Sequence, residues 1–467
     1  LYDANTVYVA LDNHKYGDFK PYLVKSTDAG LSWTSISGNI PENHLVWRVI
    51  QDHEKSNLLF AATEFGIFFT LDGGSKWMKL KGSPTIPFRD ITIQRRENDL
   101  VGASFGRGFF VLDNYSVLRD VTEDGLESPG KIYAVKDADW YVPRNIASPQ
   151  GTGKFVGNNP PFGATFSYSL GESLSTMAGA RKKEEGKLKK DGKDVPFPGW
   201  EALDAEKDEE KPKVVLTIKD EDGTVVQRLN GSTSKGLHRT SWNLRKMGKS
   251  GIRLQQQSGG GGFRRGSRGA MVTPGTYTVT LSKQVNGEVT VLDGPVPFEL
   301  VPLRKGTLKG ASYEEIIAFT SELEDLQSAM SAFNFKLDHC QKKIGAMNTA
   351  VSRLDKDAPG MISDLYQLKK QLIAFDRKVN GSDAKSEIGE RNNPSVQSRM
   401  FVGFRGLSTT YGPTEMHKES LRIATTEFEG LRSELESIES GDLKRIEEKL
   451  SEMGAPWIEG QAIPKNY

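Results

Sequence analysis

Cysteine is nearly absent from this 467-residue chain, with Cys340 its single example. One thiol excludes an internal disulfide framework and any cysteine-based zinc cluster. Long apolar runs are missing too, so no segment reads as a membrane-spanning helix. Neither sign of charge is in excess: 62 Lys and Arg face 61 Asp and Glu, for a formal net charge of +1. That balance gives no long-range pull toward nucleic acid or an anionic membrane. The six histidines, His14, His44, His53, His238, His339 and His417, are scattered without an H-E-x-x-H or other ligand spacing. No metal and no cofactor is therefore expected.

What the chain does have is a repeat. Ser26-Thr27-Asp28-Ala29-Gly30-Leu31-Ser32-Trp33 recurs as Thr70-Leu71-Asp72-Gly73-Gly74-Ser75-Lys76-Trp77, with Asp28 and Asp72 lying 44 residues apart. The flanks recur as well. Val46-Trp47-Arg48-Val49-Ile50 answers to Pro87-Phe88-Arg89-Asp90-Ile91, and Asn57 to Gly66 answers to Asn98 to Gly106. A period in the low forties with several short apolar strands is the pattern of a propeller blade. Within each element an Asp-Gly turn separates two strand-like runs. The carboxylate can accept backbone N–H groups of its own turn, and glycine supplies the positive φ. The tryptophan offers a flat surface to a neighbouring sheet. Asp28, Gly30, Trp33, Asp72, Gly74 and Trp77 are therefore expected to be structural.

The spacing S-x-D-x-G-x-x-W resembles the Asp box (bacterial neuraminidase repeat), complete in the first copy and with Thr for Ser in the second. Residues 1–120 then read as terminal blades of an incomplete Asp-box propeller, entered in mid-repeat. Too few blades are present to close a ring, so the remaining blades are expected as partners, from the same gene product or another chain. The chain opens without an initiator methionine and reads as a piece of something longer.

Downstream, residues 121–308 show strand runs at Lys131–Val135, Ala164–Leu170, Val214–Ile218, Val225–Leu229, Leu237–Leu244, Thr276–Leu281 and Val296–Val301. They suggest an Ig-like antiparallel β-sandwich, with a charged, solvated insert at about 179–213. Asp220-Glu221-Asp222-Gly223 reads as a hairpin turn, because calcium ligands do not follow at the required offsets. Ser258–Gly266 looks like an Arg/Gly nucleic-acid segment but, in a chain of near-zero charge, reads as a flexible loop. Residues 309–467 carry apolar stripes at +3 and +4 spacing. One runs from Ile316 through Cys340 to Leu354, one from Ile362 to Val379, and one from Leu421 to Ile438, with Leu443, Ile446 and Leu450 beyond. They predict an antiparallel helical bundle with an inert thiol in its core. The whole is multidomain, mainly β with α.

The order of these segments, with Asn159–Ala164, Gly236–Leu244 and Thr273–Tyr277, looks like the C-terminal half of large exported bacterial Asp-box proteins with sortilin (VPS10)-type propellers. That resemblance implies an extracytoplasmic location: periplasmic, outer-membrane-associated or secreted. Two functions follow. One is non-catalytic binding or assembly, with a protein or glycan ligand. The other is a glycan-acting hydrolase, sialidase-like, whose catalytic groups lie in blades outside this chain. Arg48, Glu64, Arg89 and Arg107 sit near strand ends, where propeller channels gather polar groups, and are the candidate ligand contacts. Gly102-Ala103-Ser104-Phe105-Gly106 matches a G-x-S-x-G elbow, yet a strand and not a helix follows it, so no nucleophile is assigned.

Overall fold

The computed structural model describes residues 2–143, 157–254, 268–304 and 306–463. Strands dominate the first two thirds and helices the last. The Arg/Gly-like segment Ser258–Gly266 lies outside the described residues.

Three small antiparallel sheets come first. Sheet one holds β1 (Val7–Asn13), β2 (Asp18–Ser26) and β3 (Thr34–Ser35). Sheet two holds β4 (Val46–Gln51), β5 (Leu59–Thr63), β6 (Gly66–Thr70) and β7 (Met78–Lys79). Sheet three holds β8 (Phe88–Gln94), β9 (Asp99–Ser104) and β10 (Phe109–Leu112). The middle sheet is four-stranded, and the two beside it have three strands each. Strand β5 shows how the sheets stack. Leu59 and Ala61 pack toward sheet one beside Leu23, Phe68 and Trp77. Leu58, Phe60 and Ala62 pack the other way, toward Phe88, Ile91 and Leu100 of sheet three. Two-residue alternation thus buries β5 on both faces.

The two Asp turns have the same internal bonding. The Ser26 hydroxyl donates to Asp28 at 2.7 Å, and that of Thr70 to Asp72 at 2.6 Å. Each hydroxyl also accepts a glycine N–H, from Gly30 at 2.9 Å and from Gly74 at 3.1 Å. Thr for Ser is neutral because only the hydroxyl is used. Asp28 is held down at about 2, first by the Ser32 hydroxyl, then by those of Ser26 and the Ser32 amide. At Gly74 the backbone is left-handed (φ 111°) and a Cβ would sit 2.9 Å from that of Ile36, so glycine is required. The tryptophans diverge. Trp77 is 2% exposed and donates through Nε1 to the Ile36 carbonyl at 2.8 Å, whereas Trp33 is 46% exposed.

Beyond Thr122, α1 (Glu123–Glu127) leads into two further sheets. One is ordered β11-β13-β16: β11 (Lys131–Ile132), β13 (Ala164–Leu170) and β16 (Gly236–Trp242). The other is ordered β12-β20-β19-β14-β15. It contains β12 (Ala138–Trp140), β14 (Lys213–Asp220), β15 (Val225–Gly231), β19 (Gly275–Val285) and β20 (Glu288–Pro302). Phe166, Tyr168 and Trp242 from the first share one core with Leu216, Val279 and Phe298 from the second. The pattern departs from fully antiparallel pairing, because β12 runs parallel to β20. The Asp220–Gly223 turn joins β14 to β15, with Asp220 accepting the Thr224 amide at 2.8 Å. A short ribbon, β17 (Arg245–Met247) with β18 (Arg268–Met271), follows β16. The charged insert is not structureless: it holds α2 (Met177–Lys190) and α3 (Trp200–Asp208). Arg181 ties them together through Glu206, with Nε to Oε1 at 2.6 Å. No apolar periodicity marks these helices in the sequence, because neither buries a side chain.

The helices are α4 (Tyr313–Val351), α5 (Pro359–Asn380), α6 (Asp383–Glu387), α7 (Val396–Gly406), α8 (Glu415–Ser437) and α9 (Lys444–Glu452). Together they enclose one apolar core. A π-helical segment, Ile438–Leu443, makes α8 and α9 continuous. Its extra residue lets buried Ile438 be followed five positions later by buried Leu443, so the stripe stays on one face. Ser312 caps α4 in a capping box with Glu315. Cys340 is fully buried on α4, and burial, then Glu439, pushes its thiol up to about 11. We expect no modification of Cys340 by a thiol reagent in native buffer and stoichiometric modification in denaturant, read by mass spectrometry.

Candidate binding cleft at the strand ends of the repeated sheets

The first strands of sheets two and three carry the same irregularity. The ladder between β4 and β5 pairs Val46 with Thr63 and then Arg48 with Ala62, so Trp47 is bulged. The ladder between β8 and β9 pairs Phe88 with Ser104 and then Asp90 with Ala103, so Arg89 is bulged. A bulge re-aims the side chain it carries. The structural equivalence is therefore Trp47 with Arg89 and Arg48 with Asp90, one residue off the alignment of the bare sequences. The outcome is two contacts between neighbouring sheets. The Arg89 guanidinium lies over the Trp47 ring, 3.6 Å from its centroid, and Arg48 pairs with Asp90 at 3.4 Å.

The turn that follows supplies the acid. The Glu64 amide donates to the Leu45 carbonyl at 3.0 Å, and the Thr63 hydroxyl to the Gly66 carbonyl at 2.8 Å. This closes a tight connection with Glu64 and Phe65 at its tip, and Gly66 takes the left-handed conformation (φ 118°) that it needs. Glu64 then accepts the Trp47 indole N–H at 2.9 Å. In sheet three the same construction holds Ser104, whose hydroxyl donates to the Gly108 carbonyl at 2.8 Å. Ser104 is thus the counterpart of Thr63, a turn-closing hydroxyl followed by β10.

Trp47, Glu64 and Arg89 line an open cleft of about 350 Å³ with His14, Phe19, Asn43, Leu45 and Phe65. His14 meets Trp47 edge-on at 5.6 Å and contacts the Asp12 carboxylate. The Arg89 guanidinium carbon also lies 5.2 Å from the centroid of the Phe105 ring. The result is a flat indole clamped at its edge by a carboxylate and on one face by an arginine. His44 packs edge-on against Phe65, which lines the cleft, at 5.1 Å. Burial, and then Lys79, hold the imidazole below its ordinary value, so it stays neutral at neutral pH. Of the four candidate contacts, Glu64 and Arg89 meet in the cleft. Arg48 is taken up by Asp90 beside it, and Arg107 lies exposed on the β9–β10 turn.

A second polar cluster escaped the sequence reading. Asp52, fully buried just after β4, accepts from the Tyr115 hydroxyl at 2.6 Å and from Arg119 Nη2 at 2.9 Å on one oxygen. Its other oxygen accepts from Arg119 Nε at 3.0 Å, the Glu54 amide at 2.8 Å and the Lys55 amide at 2.7 Å. Burial alone would push this carboxyl up. The bonds from Arg119 and Tyr115, then the two amides, outweigh it and hold it at about 2. With its acceptor capacity filled, Asp52 is a structural tie between sheet two and the segment after the repeat. No local signal marks the cluster, because the side chains that pair with Asp52, Tyr115 and Arg119, lie more than sixty residues away in the chain. Among the described residues no cluster of three or more His, Cys, Asp or Glu is placed to hold a metal ion. Nor is any described helix long and apolar enough to cross a membrane.

No family model and no curated protein matches this chain. Some solved structures resemble it slightly. YCF48 bound to D1 peptide is 19% identical over 20% of this chain and 31% of that one, with a TM-score of 0.17. The extracellular domain of a one component system from B. thetaiotaomicron is 13% identical over 60% of this chain and 28% of its own, with a TM-score of 0.17. An ancestral GH74 enzyme is 15% identical over 64% of this chain and 37% of its own, with a TM-score of 0.20. The chain thus spans between 28% and 37% of the length of these structures. Overlap this slight assigns neither a family nor a reaction.

Proposed function

We propose that this chain is a non-catalytic, extracytoplasmic binding protein whose Trp47 cleft takes a glycan. In this reading the three leading sheets are Asp-box propeller blades, the next two sheets an Ig-like sandwich, and the helices an antiparallel bundle. The observation that carries the function is the preformed platform of Trp47, held by Glu64 and Arg89. A sugar ring presents an apolar C–H face that stacks on an aromatic and a rim of hydroxyls that need donors and acceptors. Asn43, Glu64 and Arg89 line the cleft to supply them. Glycoside cleavage by the common route uses two facing carboxylates, whereas one carboxylate, Glu64, lines this cleft and it is engaged by the indole.

Titration with neutral cello- and xylo-oligosaccharides and acidic polygalacturonate oligosaccharides, followed by tryptophan fluorescence and calorimetry, tests this reading. At least one should bind without being cleaved, and Trp47→Ala should weaken it about tenfold or more, a loss of about 1.4 kcal/mol, with the circular dichroism unchanged. Binding of none of them, or binding indifferent to Trp47→Ala, would overturn it.

A further inference from the structure

Helices α2 and α3 form a hairpin. The Arg181–Glu206 bridge at 2.6 Å, and the Met177 amide donated to Glu209 at 2.6 Å, join the start of α2 to the end of α3. The opposite ends of the two helices therefore share a tip. Gly192 ends α2 there in the left-handed conformation (φ 68°), with the Lys193 amide returning to the Leu188 carbonyl at 2.8 Å. Neither helix buries a side chain, and helices of 14 and 9 residues are marginal alone in water. At the tip Phe197 and Trp200 meet edge-on at 5.1 Å, and they are 63% and 75% exposed. Aromatic area left bare beside charged side chains marks a contact surface.

Charge selects the occupant. Helix α2 carries six basic side chains and two acidic, and α3 carries four acidic and one basic. Lys183 and Lys190 of α2, and Glu201 and Asp208 of α3, form no ion pair with any described residue. Each of these two pairs is seven residues apart, so each shares one helix face at the same spacing of about 10.5 Å. An anionic bilayer would attract α2 and repel α3, and any partner of a single sign meets the same conflict. The surface that sets acid against α2 and base against α3, at matching intervals, is the hairpin itself turned about. We propose that the hairpin joins two copies of this chain across a two-fold axis running along it. Helix α2 of each copy then lies antiparallel to α3 of the other, with Lys190 opposite Glu201 and Lys183 opposite Asp208. The two Phe197–Trp200 pairs cover each other at the tip. Such a patch is self-complementary, as a two-fold contact requires. The proposal does not depend on what the Trp47 cleft binds.

Sedimentation equilibrium of the protein in native buffer tests this, and a dimer should form at or below about 100 µM. Lys183→Glu with Lys190→Glu should weaken the dimer about tenfold or more, and so should Glu201→Lys with Asp208→Lys, each with the circular dichroism unchanged. Mixing these two variants one to one should restore it, because the acidic α2 of one then meets the basic α3 of the other. Mixing does not repair a misfolded hairpin, so restoration reports the contact itself. Phe197→Ser with Trp200→Ser, which leaves every charge in place, should also weaken the dimer. A protein that stays monomeric at about 100 µM, a dimer indifferent to the charge reversals or to the aromatic changes, or a mixture that stays monomeric would overturn the proposal.

Discussion

Replacing Arg119 by Met should destabilise the repeated sheets by about 3–5 kcal/mol, because it leaves the Asp52 carboxylate buried without its countercharge. Asp52 is 0% exposed, so water cannot replace the lost donors. Asp52→Leu together with Arg119→Met should cost less than the two single changes added, since the pair removes both charges. Urea titration of the four proteins measures this directly. The same carboxylate sets an acid limit. Its value in the fold is about 2, below the ordinary 3.8, so the unfolded chain takes up the proton first as pH falls. The stabilisation, about 2 kcal/mol, is complete above pH about 4 and is lost as pH falls from there toward 2. Asp52→Asn removes the titrating group, so its stability gap from the parent should narrow across that window. A gap independent of pH would show that the carboxylate does not titrate as described.

Trp77→Ala should cost about 3–5 kcal/mol, by opening a cavity in the seam between sheets one and two. The loss combines a buried indole, its bond to the Ile36 carbonyl and the Gly74–Ile36 approach that it shelters. Trp33→Ala should cost far less, because that indole is nearly half exposed. Thermal unfolding of both variants reads the difference. Equal losses would mean that Trp33 is packed as closely as Trp77.

Local chemistry made much of the molecule legible. The two Asp turns could be read from sequence because every partner of Asp28 and Asp72 lies within four residues. The helical stripes could be read because a core-facing helix must repeat at 3.6 residues, and the stripe containing Cys340 is buried along one 39-residue helix. Helices α2 and α3 were not legible, because they present no apolar stripe and are joined by the Arg181–Glu206 bridge. The cleft was half legible. Glu64 and Arg89 stood out as charges at strand ends, but the bulges that set Arg89 over Trp47 and turn Arg48 to Asp90 are properties of ladder register.

The sequence by itself determined the box turns, the strands that they join and the seams of the long helices, since each depends on neighbours within a turn or two of chain. Tertiary structure alone decided the Asp52–Arg119 tie, the Trp47–Arg89 platform and the unequal burial of Trp33 and Trp77. Each of these depends on which sheet lies beside which. A one-residue change of register would move every side chain of a strand to the opposite face.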